Sequence, residues 1–271
     1  MKATMVAALR YEWLRTRSVR STWGLLVGLA VVNGLATLSI AQEFLNGSRS
    51  LALPDDVLRL LTGGSIVGSV SAVTLLAGLI GVLVGGQDQR RGMSSTTLLA
   101  IPRRGVLFGA RLLVTACWAM VAAVAALAVS YVVAWERLGA RWGTGVITRG
   151  HVVAALAGQV VLSVLTAILG LGLVTLLRRT VLAAVALLSL PLLIEPAVHR
   201  TLLHDSGAGW ARSVVDYLPF RAASSMVHLV SVQGGGSTLW NSSASLGGAL
   251  FLVLVAAALA AGGAMLLNRD V

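Results

Sequence analysis

The residues with the widest chemical reach lie in one stretch, Gly86-Gln87-Asp88-Gln89-Arg90-Arg91-Gly92-Met93-Ser94-Ser95-Thr96-Thr97-Leu98-Leu99-Ala100-Ile101-Pro102-Arg103-Arg104. This island is basic and hydroxyl-rich, and apolar runs flank it, charge-free over 60–87 on one side and over 112–135 on the other. Ser94 or Ser95 suits the N-cap of a short helix, Leu98 and Leu99 suit an apolar groove, and Pro102 stops a helix. Arg90, Arg91, Arg103 and Arg104 suit acids on a protein partner or anionic lipid headgroups, and both uses stay open at this point. The chemistry on offer is binding.

Bond-making chemistry finds little support elsewhere. A P-loop needs the lysine of GxxxxGK[ST], and Lys2 is the only lysine in the chain. The chain is therefore not expected to be an ATPase or another enzyme, and it is expected to bind no cofactor itself. Ionisable groups at mid-membrane usually mark ion or proton paths. Glu195 is the one clear candidate, near the far end of an apolar run, where Arg200 or another neighbour is its expected partner. Ser65 in Gly63-Gly64-Ser65 lacks a histidine on a later span to act as its base. His199, His204 and Asp205 show no metal-ligand spacing, and no metal site is expected. Cys117 sits in an apolar run and reads as a small buried hydrophobe.

The elements that must position these residues are hydrocarbon-loving. The 271 residues are 57% hydrophobic and 11% charged, with a mean hydropathy of +0.88, far from the roughly 25% charged of soluble domains. Continuous apolar runs, several longer than the about 20 residues that cross a bilayer, predict an all-α membrane protein. Strands of a barrel would alternate instead. We expect one transmembrane domain over 1–271, with six spans at about 22–42, 62–87, 108–135, 152–177, 180–198 and 244–267. Pro191 and Pro196 interrupt the fifth, which must absorb Glu195 or stop short. Before the first span, residues 1–21 predict an interfacial elbow helix carrying Arg10, Trp13, Arg15 and Arg17. Met5, Val6, Leu9 and Trp13 share one side at about 100° per residue. Between spans five and six, residues 214–232 are too polar to span and too apolar to be a free loop. A re-entrant or interfacial helical pair is expected there.

The net charge of +11 would point to nucleic acid in a soluble chain. Here it follows span ends. Segments 1–21, 87–104, 178–179 and 268–271 hold 12 Lys and Arg in 45 residues, against 8 in the 81 residues of the alternate loops. Basic residues favour the cytoplasmic side, so both termini are expected to be cytoplasmic. The Ala, Val, Leu, Gly and Arg bias suggests a high-GC bacterium, which places the chain in the inner membrane.

The order of acid, basic pair, glycine, hydroxyl run and Leu-Leu-Ala-x-Pro-Arg between two spans resembles the permease subunit of type-2 ABC exporters. The positions that carry the likeness are Asp88, Gly92, Thr96, Thr97, Leu98, Leu99, Ala100, Pro102 and Arg103. Asp88 stands where that family usually has Glu, and Met93 where it usually has Thr. The layout of elbow, six spans, minimal turn at Arg178-Arg179 and re-entrant pair is also similar. The resemblance implies a half-transporter that pairs with a second permease copy, alike or homologous. A separate ATPase subunit, holding ATP and Mg, would dock on loop 87–104, with a coupling helix near 93–100. The cargo would be small or amphipathic and would pass between the copies, with Glu195, Pro196, Pro219 and Arg221 near an outer gate. The alternative is an ATP-independent carrier or an immunity or assembly factor.

Overall fold

The computed structural model describes residues 2–47, 54–67, 70–91, 104–139, 150–205, 215, 217–224, 227 and 242–267. Along these residues the chain is mostly helical: α1 (Lys2–Ser18), α2 (Arg20–Leu45), α3 (Pro54–Leu61), a two-stranded antiparallel hairpin of β1 (Ser65–Val67) and β2 (Val70–Ser71), then α4 (Ala72–Arg91), α5 (Arg104–Leu138), α6 (Gly150–Leu177) and α7 (Thr180–Ser189). A wide π turn (Leu190–Ile194) carries α7 directly into α8 (Glu195–Asp205), and α9 (Pro219–Ser224) and α10 (Ser242–Leu267) follow. Among the described residues, four helical stretches are long and apolar enough to cross a membrane: Arg20–Leu45, Gly105–Leu138, Val152–Leu177 and Thr180–Leu202. The apolar parts of α4 (Ala72–Gln87) and α10 (Gly248–Ala264) are shorter.

The expected second span is corrected. Its first turns are replaced by a helix stop at 62–64 and by the paired strands Ser65–Val67 and Val70–Ser71. Gly63 (φ 71°) and Gly64 (φ 68°) adopt the left-handed conformation. The Gly64 N–H donates to the Arg59 carbonyl at 2.7 Å and the Gly63 N–H to Leu60 at 3.4 Å. That pair of bonds is the Schellman termination of α3. The chain then turns, and Ser71 Oγ accepts the Thr74 N–H at 3.4 Å to start α4. The apolar run that reads as one long span is thus divided between α3, a hairpin and α4.

The fifth span absorbs its prolines. Pro191 has no N–H to donate, and the helix widens rather than ends. Leu190 N–H still reaches the Ala186 carbonyl, whereas Glu195 N–H reaches back to Leu190. One extra residue in the turn is the usual signature of such a bulge.

α6 sits at the centre and packs against α4, α5, α7 and α10. In lipid, helices gain no hydrophobic drive from meeting one another, so close backbone approach must hold them. Glycines permit that approach. A Cβ on Gly81 would fall on the Ala167 carbonyl, one on Gly170 on the Gly78 carbonyl, and one on Gly262 on Thr175 Oγ1. Uncharged polar knots add to the packing. Asn33 Nδ2 donates to Ser130 Oγ and to the Ala126 carbonyl (3.2 Å), while Thr37 Oγ1 bonds Ser130 Oγ (2.9 Å) and the Leu60 carbonyl (3.1 Å). Gln159 Nε2 on α6 donates to Ser71 Oγ (2.7 Å) and Thr74 Oγ1 (2.9 Å).

Gly81→Ala is expected to cost about 1–3 kcal/mol by overpacking, read as a lower thermal unfolding midpoint of the purified protein. Gly24→Ala on α2, where a Cβ meets nothing within 4 Å, should leave the midpoint unchanged or raise it.

Candidate functional site

The island begins where α4 ends. Asp88, Arg90 and Arg91 lie on the last turn of α4, and α5 starts at Arg104. Gly92, Thr96, Thr97, Leu98, Leu99, Pro102 and Arg103, with the expected coupling helix, lie outside the described residues. What the structure supplies is their anchorage. Gly86, the first residue of the island, abuts Thr180, which opens α7 after the Arg178-Arg179 turn. Arg178 takes φ 54°, the left-handed residue that lets α6 and α7 join through so short a connection. Both island anchors therefore sit on the end of the bundle that also holds α1.

α1 is docked on the bundle by a face other than the stripe expected to meet the membrane interface. Of the predicted stripe, Leu9 joins the packed cluster, but Val6 is 64% exposed and Trp13 38%. The buried face is Ala8, Glu12 and Thr16, at successive spacings of four. Glu12, 1% exposed, accepts from two guanidiniums on the same oxygen. Arg111 Nη2 of α5 lies 3.1 Å from Oε1, and Arg15 Nη1 lies 3.4 Å from it. Small residues flank the pair so that helix axes approach, and the charges neutralise one another where burial would otherwise be costly. Trp13 stacks on Trp118 of α5 at 5.4 Å between ring centroids, and Trp23 meets the same ring edge-on at 5.5 Å. Trp23 Nε1 also donates to the Arg17 carbonyl at 2.9 Å, satisfying an acceptor in the last turn of α1. Of the expected elbow residues, Trp13 and Arg15 make the dock, while Arg10 and Arg17 face outward. Glu12, Arg111, Trp118 and Trp23 are partners that sequence reasoning did not join. A single acid on a basic helix and a single arginine one turn inside a span were the available signals.

At the opposite end the predicted quartet comes together. Glu195, 6% exposed, accepts the Phe220 N–H on Oε1 at 2.7 Å, and the Arg221 N–H and guanidinium also face its carboxyl group. Pro196 follows Glu195 in the first turn of α8, and Pro219 opens α9. The carboxylate thus binds the start of a helix 25 residues away; the expected partner Arg200 is exposed. Phe220 in turn packs edge-on against Phe251 of α10, 5.2 Å between centroids. Glu195 ties α8, α9 and α10 into one corner. Of the segment expected to form a re-entrant pair, residues 215, 217–224 and 227 are described and include the single short helix α9, while the rest lies outside the described residues.

In comparison with known proteins, the chain matches no family model and no curated sequence.

Two outcomes follow from these contacts. Glu12→Gln should destabilise the purified protein by about 3–5 kcal/mol, because it strands the buried Arg111 guanidinium, and Arg111→Met should cost less, because Arg15 still pairs with the Glu12 carboxylate. The double variant should lose clearly less than the sum, as measured by thermal unfolding in a fixed detergent. Glu195→Ala should cost about 1–3 kcal/mol by leaving the Phe220 N–H unpaired, whereas Glu195→Gln keeps an acceptor and should stay within about 1 kcal/mol of the parent on the same assay.

Proposed function

We propose that the chain is the membrane subunit of an ATP-driven exporter, a permease of the type-2 ABC kind that works as a dimer. The observation that carries this reading is the residue order of the island, from Asp88 to Arg103, set between two apolar helices in a chain whose only lysine is Lys2. Energy from ATP must then arrive through contact with another subunit, and the island is the polar surface built for it. The anchorage supports the reading. The island leaves α4 and enters α5 beside the α6–α7 turn, at the end where α1 docks, so a push on the loop reaches four helices through helix ends. Among described side chains, that end carries Arg10, Arg15, Arg17, Arg20, Arg111, Arg178 and Arg179 against Glu12 alone. This asymmetry is what a cytoplasmic face shows.

On this reading α4 and α10 span together with the four longer helices, which gives six spans in a bacterial inner membrane with both termini in the cytoplasm. ATP and Mg belong to the docked ATPase, and a small or amphipathic cargo passes between the permease copies. The corner around Glu195, Pro196, Pro219 and Arg221 lies at the far end, where an outer gate would stand. The carrier alternative has less support, because the Glu195 carboxylate is already engaged by the backbone at Phe220.

Affinity purification of the tagged full chain from its native membrane should bring down a second chain with a Walker motif. Leu98→Glu with Leu99→Glu should abolish that association by tenfold or more without loss of the folded permease, whereas Glu195→Gln should leave it intact. Purification free of any Walker-containing chain, from membranes solubilised under several mild conditions, would falsify the proposal.

A further inference from the structure

The outward face of α1 has a composition that its docked face explains. Ala8, Glu12 and Thr16 are turned into the bundle, and the helix's one acid is consumed there by Arg111 and Arg15. What remains outside is Val6, Arg10, Trp13, Leu14 and Arg17, followed by Arg20 at the start of α2. Val6 and Leu14 are 64% and 54% exposed, so apolar side chains and guanidiniums alternate along one surface with no exposed acid among its described side chains. A water-facing helix gains nothing from exposed Val, Trp and Leu, and a hydrocarbon-facing helix would not carry three arginines. The headgroup layer meets both needs. There, apolar side chains dip towards the acyl chains while guanidiniums reach phosphate oxygens. Trp13 stays pinned on Trp118, so the surface is held in place before any lipid arrives.

We propose that the outward face of α1, through Arg10, Arg17 and Arg20 with Val6, Trp13 and Leu14 between them, is a binding surface for anionic phospholipid headgroups of the adjacent leaflet. Phosphatidylglycerol is the class it fits, because the glycerol phosphate adds a net negative charge that a zwitterionic headgroup cancels. The proposal does not depend on the transport reading. It concerns the elbow, while the ATPase is assigned to loop 87–104.

The full chain, purified in mixed micelles of equimolar phosphatidylglycerol and phosphatidylcholine, is analysed by native mass spectrometry for retained lipid. The parent should retain phosphatidylglycerol over phosphatidylcholine by about fivefold or more at low salt, and the excess should shrink at high salt as the charges are screened. Arg10→Gln with Arg17→Gln and Arg20→Gln should bring the ratio close to parity. The three Lys substitutions should hold it, and Arg178→Gln with Arg179→Gln should leave most of it. Should the triple Gln variant not fold, the single outward-facing Arg10→Gln reads the same effect in part. Parity in the parent, or an excess that survives the Gln substitutions, overturns the proposal. Parity in the parent would instead leave the face to an acidic protein surface.

Discussion

The close approach of α4 to α6 is the constraint on which the rest of the molecule depends. Because Gly81 presses its Cα against the Ala167 backbone and Gly170 returns the contact at Gly78, these two helices meet at a distance no larger residue allows. In a solvent as apolar as the side chains themselves, such contact and the hydrogen bonds it encloses must supply the cohesion that water supplies elsewhere. The remaining elements take their places from this pair. α5 is fixed against α4, α2 against α5, and α10 against the far side of α6. Even the island inherits its position, since the glycine run along α4 continues to Gly85-Gly86 and seats the helix end beside Thr180.

The two ends of the bundle solve different problems with the same device, a buried carboxylate. Glu12 is matched by guanidiniums and joins two helices side by side. Glu195 is matched first by a backbone N–H and holds the start of a short helix against a long one. The first depends on charge, so its loss strands an ion; the second depends mainly on an acceptor, so a neutral amide can take the place. Between the two ends, the polar knots around Asn33 and Gln159 carry no charge at all. This distribution fits the cost of ionisation in lipid, which is highest at the middle and falls towards either interface.

Much of this was legible in the chain as written. Uninterrupted apolar runs announce helices because lipid leaves the backbone no other partner, and the helices at 20–45, 104–138, 150–177, 180–205 and 242–267 fall where the runs lie. The misreading at 62–71 has a definite cause. Apolarity alone bridges Leu60 to Val84, and only the Gly63-Gly64 pair marks the stop. On α1 the stripe of Met5, Val6, Leu9 and Trp13 gave no sign of the docked face, since docking required small residues and a neutralised charge, which hydrophobicity does not report. At the Glu195 corner, all four expected residues converge, although the partner N–H belongs to Phe220, and a backbone donor 25 residues away leaves no mark in the side-chain pattern. For the island, residue order supports a functional reading while the elements described around it show only how it is held.

The wide turn at Leu190–Ile194 has a consequence for phase. Ala183, Leu187, Pro191 and Glu195 are all buried and recur every fourth residue. In a regular α-helix, where each residue advances about 100°, that spacing drifts by about 40° per step, or about 120° from Ala183 to Glu195. The π turn takes up one residue without completing an extra advance, and so keeps the four on a common line. The bulge therefore acts as a frame shift within a continuous rod. It rotates everything beyond Ile194 relative to everything before Leu190, and it selects which residue of the sequence faces α9. A helix that regained regular winding would turn Glu195 off this line, and its carboxylate would lose the Phe220 amide.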